Sequence, residues 1–147
     1  MKSRSQARAA ARLAAVQALY QQEMEAMPIA RLLDEFHQHR LGMEIDDDQY
    51  AQAETAFFDD VVSGALARRD EIDGLISAKL AEGWKLERLD RTMLQILRAG
   101  TYELLARVDV PTGTAISEYV DVAHAFFDAK EAKFVNGVLD AVAKGVR

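Results

Sequence analysis

Arg4, Arg8 and Arg12 recur every four residues behind Lys2, and no acidic side chain precedes Glu23. On a helix, residues four apart are turned by only about 40°, so the three guanidinium groups would form one stripe roughly 12 Å long. Such a stripe suits successive phosphates of one nucleic-acid strand, each contact being charge-assisted. The competing reading, a solvated helix face, is the stronger one on spacing alone, while the lack of any neutralising acid nearby weighs toward phosphate binding. A second basic element, Lys130 and Lys133, lies among Phe126, Phe127 and Phe134. Aromatic rings stack on bases, at about 1–3 kcal/mol per base. Phe126 and Phe127 are adjacent and cannot both face an interior, so one is expected at the surface. Phe134 has the spacing of a core residue, and for it the core reading is the stronger one.

Other chemistry finds little support. His37 and His39 would be about 200° apart on a helix and cannot share a metal there. His124 sits among apolar residues and reads as a packing or surface histidine rather than a base. Asp46-Asp47-Asp48 lacks the alternating ligands, glycine and terminal glutamate of a calcium loop, and reads as a solvated acidic loop. No glycine-rich phosphate loop, nucleophile elbow or paired-carboxylate motif stands out. No catalytic residue, metal site or cofactor is therefore assigned. With no cysteine among the 147 residues, disulfides and thiolate metal sites are excluded.

A chain of this length fits one domain, and 50% hydrophobic residues supply a core. No apolar run approaches the ~20 residues of a membrane span, and the basic N-terminus lacks the apolar stretch of a secretory signal, so a cytoplasmic protein is expected. The formal net charge is −6, yet residues 1–12 carry +4, leaving −10 on the rest. A cationic end on an acidic body predicts that any nucleic-acid binding by the chain alone is weak and steeply dependent on salt.

Positioning these residues falls to helices. Only Pro28 and Pro111 interrupt the chain, and no strand-like alternation persists. The pattern predicts about seven helices: over roughly 5–26, 28–40, 49–69, 71–82 and 87–108, a sixth ending near 127, and a last one containing 133–140, with 128–132 either a loop or its early turn. Residues 42–48 read as a polar acidic loop, and Gly83 as the stop of the fourth helix. Trp84, just after it, is expected to cap the core. The fifth helix is broadly apolar and should be central, with Tyr102 and Leu105 packed and Glu103 facing outward. The last helix holds Lys133-Phe134-Val135-Asn136-Gly137-Val138-Leu139-Asp140. Gly137 costs about 1 kcal/mol relative to Ala in a helix interior. That cost suggests a close helix approach at Gly137 and a local hydrogen bond from the Asn136 amide.

That last stretch, with Asp109-Val110-Pro111 and Ala115-Ile116-Ser117-Glu118, resembles the C-terminal half of the transcription antitermination factor NusB family. Arg12-Leu13-Ala14-Ala15-Val16-Gln17-Ala18-Leu19-Tyr20-Gln21 is similar to the family's opening helix. Trp84-Lys85-Leu86-Glu87-Arg88-Leu89-Asp90-Arg91 and Ile96-Leu97-Arg98-Ala99-Gly100-Thr101-Tyr102-Glu103-Leu104 are similar to its middle. The blocks stand in family order across nearly the whole chain. Two positions depart: Phe127 stands where Gly is usual, and Ser117 replaces the common Asn before Glu118.

The resemblance implies an all-α, single NusB-like RNA-binding domain over 1–147, built as two small helical bundles. It implies binding of the single-stranded boxA element of nascent ribosomal RNA together with NusE, a small-subunit ribosomal protein, in an antitermination complex with RNA polymerase. Lys2, Arg4, Arg8, Arg12, Lys130 and Lys133 would meet phosphates, with Phe126 or Phe134 stacking on a base. The basic first helix and the C-terminal end would share that surface. Glu87 and Asp90 would face the basic partner protein. Family members occur as monomers or homodimers. Two alternatives stay open: a helical protein-protein interaction module, and a stand-alone relative of the NusB-like domain of RNA methyltransferases.

Overall fold

The computed structural model describes the backbone of residues 4–39 and 48–147, with side chains from Ser5 to Gln38 and from Glu54 onward. Within these residues the chain is all-α: α1 (Arg4–Glu25), α2 (Ile29–His39), α3 (Asp48–Ala67), α4 (Arg69–Ser77), α5 (Arg91–Ala106), α6 (Thr112–Phe126) and α7 (Ala129–Val146), with one 3-10 turn at Leu86–Arg88. The acidic loop expected over 42–48 lies outside the described residues, except that Asp48 opens α3. The chain divides into two compact units, Met1–Gly64 and Ala65–Arg147.

In the first unit α1 buries Ala7, Ala11, Ala14, Ala15 and Ala18 together with Val16 and Leu19. So many alanines on one face allow close packing of neighbouring helices with little side-chain ordering cost. α1 stops at Ala26, whose φ of 51° is left-handed, and Pro28 prevents continuation. α2 and α3 meet through Phe36 and Phe58, stacked at 5.4 Å between ring centroids. His37 Nε2 lies 2.6 Å from Asp59 Oδ1 across the same pair of helices.

The second unit is organised around α5, as its broad apolar surface predicts. α5 packs on α4, α6 and α7 and buries an almost continuous run from Met93 to Leu104. Asp90 starts it, its carboxylate accepting from the backbone N–H of Thr92 at 2.8 Å and of Met93 at 3.1 Å. At the other end the Arg147 guanidinium donates to the carbonyls of Glu103, Leu104 and Arg107, adding side-chain bonds where the helix ladder runs out. Arg98 grips Asp73 of α4 through two bonds of 2.8 and 2.9 Å.

Four expectations are corrected in this unit. Glu103 does not face outward: it is fully buried and accepts a hydrogen bond from the Tyr119 hydroxyl of α6. The close helix approach falls at Gly100 rather than Gly137. A Cβ on Gly100 would lie 2.9 Å from Leu139 Cδ1 of α7 and 3.3 Å from Tyr119 Cδ2, whereas one on Gly137 would meet no described residue of another helix within 4 Å. α4 ends at Ser77, not near 82, because no residue from Ser77 to Arg88 is buried to hold a further turn against the core. Gly83, at φ +87°, serves a turn beyond the helix instead. For the same reason Trp84 does not cap the core; it is 56% exposed.

Candidate nucleic-acid surfaces

The arginine ladder lies on the first unit. Arg4 is the first residue of α1, with its side chain outside the described set, and Lys2 lies outside the described residues altogether. Arg8 and Arg12 both approach Phe57 of α3, their guanidinium carbons 4.7 and 4.9 Å from its ring centroid. Phe57 and Arg12 are each only 2% exposed, and Arg8 is half-buried. Arg12 therefore does not present its guanidinium to solvent, and the expected phosphate contact there gives way to a structural one. Two cations around one buried ring tie α1 to α3, an interaction worth up to about 2 kcal/mol each where desolvated.

The second basic element lies on the second unit, where α6 gives way to α7. Phe127 and Asp128 are both extended (φ −137° and −85°, ψ 173° and 177°), which turns the chain sharply between the helices. Phe126, the last residue of α6, is 42% exposed, while Phe127 is half-buried 6.4 Å from it between ring centroids. One ring of the adjacent pair thus reaches the surface, as their adjacency requires. Lys130 and Lys133 are exposed on the first turns of α7, and neither forms an ion pair with another described residue. Farther along, Lys144 is engaged by Asp140 at 3.1 Å. Phe134 is half-buried, belonging wholly neither to core nor to surface; Val135, Val138, Leu139 and Val142 make the buried face. The positive end of the α7 dipole adds to the lysines in favouring an anion. Asp128 and Glu131 offset them in formal charge, so a strand held here must gain from ring stacking as well as from charge.

Of the two acids assigned to a protein partner, Glu87 is exposed on the 3-10 turn, and Asp90 is exposed but already occupied as the cap of α5. Sequence reasoning missed the exposed apolar side chains Tyr20 (40%), Met24 (50%) and Ile29 (39%) of the first unit and Val108 (88%) of the second. A signal existed for one of them: at 100° per residue, Tyr20 falls opposite the centre of the alanine face of α1. Among the described residues no group of three or more His, Asp or Glu side chains is gathered as a metal site. No helix among them is long and apolar enough to cross a membrane.

Helices alone, with a lysine- and phenylalanine-bearing corner, define a small all-α protein whose surface suits a nucleic-acid strand. The sequence profile of the NusB family matches residues 9–144. The transcription antitermination protein NusB of Novosphingobium aromaticivorans is 76% identical over 141 residues, covering 96% of this chain and 95% of that protein. That of Sphingopyxis alaskensis is 67% identical over 147 residues, covering 100% and 99%. Among solved structures, T. maritima NusB matches at a TM-score of 0.77 with 33% identity, over 93% of this chain and 90% of that one. A crystal structure of antitermination factors NusB and NusE in complex with dsRNA matches at 0.76 with 28% identity, over 95% and 97%. The chain belongs to the NusB family.

Proposed function

We propose that this chain is an RNA-binding transcription antitermination factor of the cytoplasm, acting without catalysis as one functional domain over residues 1–147. In this reading it takes single-stranded boxA RNA of nascent ribosomal transcripts together with a NusE-type ribosomal protein. The assembly joins RNA polymerase and carries it past terminators. The observation that carries the reading is the α6–α7 corner, where α6 ends on the exposed Phe126 ring and the first turns of α7 carry two exposed lysines that pair with no other described residue. Family membership supports it, as does the similarity to a NusB crystallised with NusE and dsRNA.

Each residue then has a role. Lys130 and Lys133 neutralise phosphates, Phe126 stacks on a base, and the half-buried Phe134 supplies an apolar floor. Lys2, Arg4 and the half-buried Arg8 add phosphate contacts on the first unit, while Arg12 holds α1 in place. Glu87 meets the basic partner protein, with Asp90 contributing what its cap leaves open. Phosphate contacts position a strand and base contacts select it, so specificity rests with Phe126 and the partner. Mobility shift with a boxA-containing RNA, with and without NusE, tests the reading. A shift strengthened by NusE is expected. No shift under either condition would assign the chain to the protein-only helical modules instead.

A further inference from the structure

The Asn136-Gly137 pair is the one unusual sequence feature that the fold does not absorb. Both residues are exposed in the middle of α7, and beyond the adjoining backbone of α7 itself and the two flanking residues no atom of the described residues lies within 4 Å of where a Cβ on Gly137 would stand. Glycine is unfavourable in a helix interior, and here no helix packing requires it. Its position on the helix is informative. At 100° per residue, Gly137 falls about 20° from Lys130 and 40° from Lys133, on the same side of the helix and about 6 Å beyond Lys133 along the axis. That is the exposed side of α7, opposite Val135, Leu139 and Val142, and it begins at the Phe126 corner.

We infer that Gly137 is a strand-contact position, where the bare helix backbone lets the sugar-phosphate chain of a single-stranded RNA close onto α7 while Lys130 and Lys133, earlier on the same side of the helix, hold the neighbouring phosphates. This deepens the function proposed above and rests on it. A side chain at 137 would hold the strand off the helix and lengthen every contact that the lysines make. Past this point Lys144 is engaged by Asp140, so Gly137 lies at the end of the stretch whose lysines form no ion pair with another described residue.

The test relies on opposite signs. Gly137→Ala should raise the melting temperature of the full chain by about 2–4 °C, because alanine is the better helix former. The same variant should weaken binding of a boxA-containing RNA about fivefold or more, the scale of one compromised charge-assisted hydrogen bond. Its salt slope should stay unchanged, since no charge is removed. Gly74→Ala is the control, an exposed glycine in α4 whose added Cβ would likewise meet no described residue of another helix within 4 Å. It should stabilise without altering affinity. Binding by Gly137→Ala equal to the parent, alongside weakened binding by Lys130→Ala and Lys133→Ala, would overturn the inference alone. Unchanged binding in all three would overturn the RNA reading of this face, and the inference with it.

Discussion

The first helix and the last one each carry basic residues at helical spacing, and they put them to opposite uses. On α1, Arg12 is buried and Arg8 half-buried over Phe57; on α7, Lys130 and Lys133 stand in solvent. Spacing does not separate the two cases; phase does. At 100° per residue, Arg8 falls about 20° from Ala15 and Leu19, and Arg12 about 20° from Leu19, all on the inward face. Lys130 and Lys133 each lie half a turn from a residue nine positions on, Leu139 and Val142, both buried. A cation's use therefore depends on where its stripe falls relative to the apolar one. Arginine tolerates the inward position because its flat guanidinium stacks on a ring and is weakly hydrated, properties that lysine lacks.

The strongest way to break this contrast is on α3. Phe57→Ala should lose about 3–5 kcal/mol, the range for a buried phenylalanine, and release both arginines. Arg12→Ala should lose about 2–4 kcal/mol, through the cation–π contact and the packing of its aliphatic stem. Urea midpoints read both effects. Among molecules that remain folded, the Arg12 variant should keep the parental salt slope for RNA. A normally stable Arg12→Ala whose slope falls by one unit would return that residue to the phosphate-binding set.

Next in size are changes within the second unit. Gly100→Ala should cost about 1–3 kcal/mol, because its Cβ would press on a Leu139 methyl at 2.9 Å inside a closed core. Tyr119→Phe removes the hydroxyl that donates to the buried Glu103 carboxyl and should cost about 1–3 kcal/mol. Differential scanning calorimetry checks both. A neutral Tyr119→Phe would mean that Glu103 is satisfied without α6.

These cases also delimit what the sequence makes legible. The helices and the central place of α5 follow from apolar periodicity, and the exposure of one of Phe126 and Phe127 follows from their adjacency, though not which of the two. The exposed α7 lysines were equally readable from their phase. The burial of Arg12 was readable in principle, since its angle can be compared with those of Ala15 and Leu19, but charge alone suggested solvent. Glu103 was not readable: its burial depends on Tyr119, sixteen positions away, and a single sequence does not pair them. Gly100 and Gly137 look alike as letters, and only the approach of Leu139 distinguishes them. The early end of α4 and the exposure of Trp84 share one cause, a stretch from Ser77 to Arg88 with no buried anchor.

The smallest expected effect on stability is the one that sharpens the contrast most. Replacing Lys130 and Lys133 together by alanine removes two exposed side chains without ion-pair partners among the described residues, so the folding free energy should change by no more than about 0.5 kcal/mol. Their effect should appear in RNA binding, where each lost phosphate contact lowers the salt slope by about one. Fluorescence anisotropy across a salt series would therefore show the double variant and parent converging at high salt, where counterion release no longer favours the parent. Arg12→Ala should show the reverse, a large loss of stability with an unchanged slope. Four measurements, stability and slope for each variant, thus separate a cation that builds the protein from one that meets its ligand. If the lysine variant instead loses stability while its slope is unchanged, the phase argument fails for α7 as well.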